Sequence, residues 1–189
     1  FFKKIPIIWT IHHASEALKY ESFHTKIIVY LLSKLSNLIP SKIIYCSQLA
    51  FGIHNKLGYS KKKSQIIENG IDMIKFSPSE KKGLQFRNYL NIKKDEFVIG
   101  FIGRYDPNKG INCFLQTIIE IKNIHNKGIK YIICGDKMDN HNRKLISKLK
   151  KFNLIEDVIL IGERGDMPSI YNSLDLLILK TIVYPIKSM

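Results

Sequence analysis

Phe97–Gly110, FVIGFIGRYDPNKG, is the stretch whose reading decides the fold. Phe97 to Ile102 is an unbroken apolar run that predicts a strand buried on both faces. From Ile111 onward, Ile111, Phe114, Leu115, Ile118 and Ile121 recur at helical spacing. Between strand and helix lies a loop with Gly103, Arg104, Lys109 and Gly110. Gly103 has no side chain, so a ligand can approach the backbone closely. A helix start offers N–H groups without intrahelical partners and the positive end of a dipole, a ready-made phosphate site. Arg104 adds a planar fork suited to phosphate oxygens, and Lys109 adds a point charge. Two cations and a helix end in one loop suggest a doubly charged anion such as a pyrophosphate. On spacing alone a plain turn with two solvated cations competes with that reading.

The same alternation extends in both directions. Strands are expected at Pro6–Ile11, Lys42–Tyr45, Ser64–Ile67, Tyr131–Cys134, Val158–Ile161 and Leu174–Leu179. Helices are expected near Ser22–Leu38, Gln48–Lys56, around Leu145, Leu149 and Phe152, and at Met167–Ser173. Strands alternating with helices imply an α/β fold with parallel sheets. The pattern loosens from Ile71 to Glu96, which holds Pro78, Gly83 and many lysines. The expected organisation is therefore one α/β segment over 1–75, a linker with some local helix over 76–96, and a second α/β segment over 97–189. In open parallel sheets ligands bind at the carboxyl ends of the strands, which directs attention to residues just after each strand.

The chain has 189 residues, with 30 Lys and Arg against 16 Asp and Glu, a formal net charge of +14. Such an excess favours an anionic partner: nucleic acid, an acidic membrane surface or a phosphate-bearing substrate. Codon bias toward Ile, Lys and Asn accounts for it equally well. Cys46, Cys113 and Cys134 form no CxxC pair, so zinc and dithiol chemistry find no support, and a sparse, odd count fits a reducing compartment. Cys46 and Cys134 fall in apolar runs and are expected in the core. His24, His54, His125 and His141 show no metal-like grouping.

The run GFIGRYDPNKGIN resembles the Gly-Arg-x-x-x-x-Lys-Gly segment that opens the donor domain of GT-B glycosyltransferases, specifically the large retaining group called family four. Four further stretches match in order: WTIHH at Trp9–His13, IIYCSQLAFGIHNKLGY at Ile43–Tyr59, IIENGIDMIKFSP at Ile66–Pro78 and VILIGERGDMPSIYNSLDLLIL at Val158–Leu179. ICG at Ile133–Gly135 also fits. The resemblance implies two Rossmann-like domains of GT-B type, both incomplete, with an acceptor domain ending near residue 75 and a donor domain starting near residue 97. It implies that Arg104 and Lys109 bind the donor diphosphate and stabilise charge on the departing nucleotide, with Gly103 and Gly110 shaping the loop. It places His12 near the donor sugar, Ser47 and Asn69 lining the cleft, and Gly162 and Glu163 near the base or ribose. Ser47 also fits a helix cap, and Asn69-Gly70 also fits a turn. His13 stands where many relatives carry Asp.

The resemblance implies sugar transfer with retention, from a nucleotide-sugar donor to a glycan or lipid-linked acceptor of polysaccharide or lipopolysaccharide type. It implies no cofactor and no metal, in keeping with the lack of an Asp-x-Asp motif. A cytoplasmic location, with peripheral contact to an anionic inner membrane surface, goes with it. Two parts of the family pattern do not match: the Gly-rich loop of the first strand–helix unit, and the Glu-x7-Glu motif, since no acidic residue follows Asp175. The expectation is a chain that does not turn over substrate alone. The competing readings are a basic nucleic-acid-binding protein, disfavoured because aromatics do not interleave with the basic runs, a non-catalytic remnant, and a GT-B-like sugar-nucleotide epimerase.

Overall fold

The computed structural model describes residues 5–12, 22–106, 109–124 and 128–179. His13 and His125 lie outside the described residues. The chain divides into two compact units, Phe1–Ile71 and Asp72–Met189.

The first unit carries β1 (Ile8–Ile11), α1 (Phe23–Leu35), β2 (Lys42–Tyr45), α2 (Gln48–Lys56) and β3 (Ser64–Ile66). Its strands form a parallel sheet in the order β1-β2-β3. Ser22 caps α1 by accepting from Thr25 N at 3.2 Å. Ile43, Tyr45, Ala50 and Tyr59 make the core. Small residues on the buried side of α1 let it approach closely: Ser36 Oγ accepts from Ser60 N at 2.9 Å and donates to Ser33 O at 2.6 Å. Cys46, expected in the core, is only half-buried because β2 ends at Tyr45 and Cys46 begins the turn into α2.

The second unit carries α3 (Glu80–Tyr89), β4 (Phe97–Ile102), α4 (Ile111–Ile124), β5 (Ile129–Cys134), α5 (Arg143–Lys151), β6 (Val158–Gly162), α6 (Met167–Ser173) and β7 (Leu176–Leu177). All pairings are parallel, in the order β6-β5-β4-β7. The chain steps outward from β4 to β5 to β6 and then returns to the other side of β4. That reversal makes the carboxyl end of β4 a topological switch point, where such sheets bind ligands. The apolar stripe of α4 (Ile111, Phe114, Leu115, Ile118) meets Phe101, Tyr131, Ile133, Leu145 and Leu149 in the core.

The local helix expected within the linker is Glu80–Tyr89, and it packs into the second unit. Ser79 Oγ caps it at Lys82 N (3.3 Å), and Ser79 N donates to Asn172 Oδ1 at 2.6 Å. Gly83, which in the sequence resembles a helix breaker, is the contact itself: a Cβ there would lie 2.2 Å from Asn172 O on α6. The last strand is also shorter than expected. Leu174 turns its side chain against Gly100, leaving Leu176 and Leu177 as the paired residues.

Arg87 ties these parts together. Its guanidinium donates to Ser173 O (2.8 Å), Glu96 O (3.2 Å) and Asp175 Oδ2 (2.7 Å), and that carboxylate also accepts from Val98 N at 2.7 Å. Arg87→Met keeps the apolar stem and removes the donors from acceptors that stay in place, so urea unfolding should show a loss of about 2–3 kcal/mol. A loss below about 0.5 kcal/mol, ordinary for a surface substitution, would mean the network is incidental.

Candidate functional site

The site forms where β4, β5 and β6 end. Gly103 N donates to Cys134 O at 2.8 Å, and Tyr105 N donates to Asp136 O at 2.8 Å, so the loop after β4 is laced to the one after β5. Gly135 has φ +140, and a Cβ on it would lie 2.1 Å from Gly103 O. Gly135 N donates to Gly162 O at 2.8 Å, and Gly162 N donates to Met138 O at 3.0 Å. Three glycines thus stand in backbone contact along one sheet edge. The Cys134 thiol donates to Gly162 O at 3.3 Å; burial pushes its pKa up, which keeps it neutral and structural.

Both cations of the decisive loop lie in the segment that follows β4. Lys109 stands beside Gly103: a Cβ on Gly103 would be 4.0 Å from Lys109 Cβ. Arg104 extends outward, its side chain 65% exposed, with Nε 3.3 Å from Asp106 Oδ2. Asp106 O also accepts from the Lys109 backbone N at 3.0 Å, so this one residue pairs with Arg104 and braces the backbone at Lys109. Gly110 is buried with φ +77 and makes the turn into α4, its carbonyl accepting from Phe114 N at 3.0 Å. Gly103 differs from the other glycines here. It is not in the left-handed region, and a Cβ would meet nothing closer than 3.9 Å. The fold around it therefore has no need of glycine, whereas a ligand lying against the backbone would.

The loop after β6 begins at Gly162 (φ +66), leaves Glu163 exposed and is held by Arg164. Arg164 grips Asp166 through Nε (2.7 Å) and Nη2 (2.9 Å). That pairing raises the guanidinium pKa and holds the Asp166 carboxyl below the usual carboxylate range. Beyond Tyr105 the surface opens into a concavity of about 580 Å³ whose lining includes Lys137, Asp139, Arg143 and Lys144, so positive charge flanks the loop on the β5 side.

In the first unit, His12, Ser47 and Asn69 follow the carboxyl ends of three strands in register, Ile11 opposite Tyr45 and Tyr45 opposite Ile66. His12 and Asn69 are exposed. Ser47 Oγ accepts from Ala50 N at 3.1 Å and is thereby the N-cap of α2. The structure thus gathers these three on one edge, and Gly103, Arg104, Lys109, Gly110, Gly162 and Glu163 on one edge of the second unit. Sequence reading missed Asp106, Arg164 and the role of Gly135. Their signals were an acid two residues past Arg104, an Arg-x-Asp pair, and a glycine directly after a strand.

Among the described residues, no group of three His, Cys, Asp or Glu could hold a metal ion. No helix there is long and apolar enough to cross a membrane.

The family described as glycosyl transferases group 1 matches residues 84–183. The UDP-Gal:alpha-D-GlcNAc-diphosphoundecaprenol alpha-1,3-galactosyltransferase of Escherichia coli is 28% identical over 193 residues, covering 93% of this chain and 46% of that protein. The capsular polysaccharide biosynthesis glycosyltransferase CapM of Staphylococcus aureus is 26% identical, covering 82% of this chain and 41% of its own length. Among solved structures, Anabaena HepE in complex with UDP and glucose superposes with a TM-score of 0.76 at 20% identity, covering 93% of this chain and 46% of HepE. WaaG, a glycosyltransferase involved in lipopolysaccharide biosynthesis, gives 0.71 at 16% identity, covering 95% and 52%. The chain thus spans about half the length of the relatives it matches. The structural likenesses bear on the fold: α/β, with two Rossmann-like units of GT-B type.

Proposed function

From the premise that this chain belongs to the glycosyl transferases group 1, we propose that it supplies the donor-diphosphate site of a retaining sugar transferase. Breaking a sugar–phosphate bond places negative charge on the departing nucleotide. Arg104, Lys109 and the start of α4 meet that charge with donors already in place, each worth about 3–4 kcal/mol in a preorganised site. Gly162 and Glu163 face the base or ribose. His12, Ser47 and Asn69 serve the donor sugar and acceptor from the edge of the first unit, Ser47 through its position at the start of α2.

UDP is the proposed nucleotide, by likeness to HepE, whose complexes hold UDP and UDP-glucose. A lipid-linked saccharide diphosphate is the proposed acceptor, by likeness to the Escherichia coli relative. The polysaccharide or lipopolysaccharide setting, the cytoplasmic location and contact with an anionic membrane surface follow from that acceptor and from the +14 charge. Turnover is assigned to the longer protein that relatives of twice this length represent, and donor binding to this chain.

The observation that carries the reading is Gly103: a glycine directly before Arg104 and beside Lys109, at the switch point of a parallel sheet, that its own fold does not require. Gly103→Ala tests it. In an NMR titration the variant should keep its stability within about 0.5 kcal/mol, as for a substitution that meets no neighbour. It should lose UDP affinity by about tenfold or more, equivalent to about 1.4 kcal/mol. Full UDP affinity in a folded Gly103→Ala chain would mean that no ligand lies against this backbone.

A further inference from the structure

We propose that Arg164 is a positioning residue for nucleoside recognition: it fixes the loop after β6 so that Gly162 and Glu163 meet the base and ribose. This deepens the proposed function and rests on it.

The loop is pinned at both ends and loose between. Gly162 is held through its N–H by Met138 O and through its carbonyl by Gly135 N and the Cys134 thiol. Asp166 O starts α6 by accepting from Ser169 N at 2.9 Å. Among the described residues, no backbone hydrogen bond restrains 163–165, and nothing lies within 4 Å of a Cβ placed on Gly165. What crosses this gap is the Arg164 side chain. Its fork closes on both oxygens of Asp166, at 2.7 and 2.9 Å. Its guanidinium carbon lies 5.4 Å from the Phe86 ring centroid and 5.5 Å from that of Tyr89. Both rings belong to α3, which Gly83 locks onto α6. Phe86 is buried and packs with Cys134 and Ile170, at the root of the same sheet edge.

A guanidinium so engaged is unlike Arg104. Its charge is matched by Asp166 and it lies over the Phe86 and Tyr89 rings on one side, so it is poorly placed to bind phosphate. An exposed ion pair contributes little to stability. A bidentate fork held over aromatic rings instead fixes direction. The chemistry therefore favours a geometric role: α3, through Arg164, sets where Glu163 points.

The test separates nucleoside from diphosphate. The full 189-residue chain is titrated by NMR with UDP and, separately, with inorganic pyrophosphate, as wild type, Arg164→Ala and Arg164→Lys. Pyrophosphate affinity should stay within about twofold in all three, which also shows that the variants fold. UDP affinity should fall by about tenfold or more in Arg164→Ala, the scale of a lost positioned contact. Lysine should not restore it, since an ammonium cannot make the two-point fork on Asp166. The inference is overturned if Arg164→Ala binds UDP as wild type does, if UDP and pyrophosphate affinities fall in proportion, or if lysine restores UDP binding in full. A wild-type chain that binds neither probe refutes the donor-site function itself, and this inference with it.

Discussion

Arg104→Ala and Lys109→Ala should each weaken pyrophosphate binding by about ten- to a hundredfold, the scale of a charge-assisted hydrogen bond of about 1.5–3 kcal/mol, while the chain stays folded. The second half follows from burial. Arg104 is 65% exposed and its ion pair with Asp106 is made within its own loop, so its loss costs the fold at most about 1 kcal/mol. Lys109 offers its backbone N–H to Asp106 O, and alanine keeps that bond. The first half follows from position. Arg104 follows Gly103 directly and Lys109 Cβ stands 4.0 Å from a Cβ placed on Gly103, where the proposed diphosphate would lie. Arg104→Lys should recover only part of the loss, because an ammonium lacks the planar fork. Raising salt from 0.05 to 0.5 M should narrow the gap between wild type and variants, since partly exposed charges are screened. Equal pyrophosphate affinity in wild type and both variants would remove the site.

Why the loop was legible and its supports were not has a physical answer. Ile111, Phe114, Leu115 and Ile118 announce α4 because a helix face repeats in sequence. The strand before it announces itself by being apolar throughout. Arg104 and Lys109 are close in sequence, so placing both in one loop needs no tertiary knowledge. Gly83 is the opposite case. Its local signal is helix-breaking, and only the approach of α6, with Asn172 O against it, makes glycine necessary. Arg164 has Phe86 and Tyr89 as partners from a helix far back in the chain. Arg87 likewise meets Asp175 across 88 positions. Periodicity carries no information about such pairings. The same limit applies to Ser47, whose capping and ligand-facing readings share one sequence signature; the distance to Ala50 N shows the cap.

The glycines separate ligand from fold most sharply at Gly135. Gly135→Ala should destabilise the second unit by about 2–6 kcal/mol, combining backbone strain of about 1–3 kcal/mol with overpacking of about 1–3 kcal/mol. The strain arises because φ +140 is a conformation that L side chains rarely adopt. The overpacking arises because the new methyl would sit 2.1 Å from Gly103 O, 2.5 Å from Gly103 C and 3.1 Å from Arg104 N. All three are backbone atoms, so no side chain can rotate aside. Relief requires the loops after β4 and β5 to part, breaking the bond from Gly103 N to Cys134 O and carrying Arg104 away from the edge. Gly135→Ala should therefore lose stability and pyrophosphate affinity together, whereas Gly103→Ala should lose UDP affinity and keep stability. The measurement is chemical denaturation followed by NMR signals of each unit separately, because two units need not unfold as one transition. A loss confined to signals from 72–179, with those from 5–71 unmoved, is the expected pattern. A Gly135→Ala chain as stable as wild type would show that the two loops do not touch, and the shared edge on which the proposed diphosphate site rests would not exist.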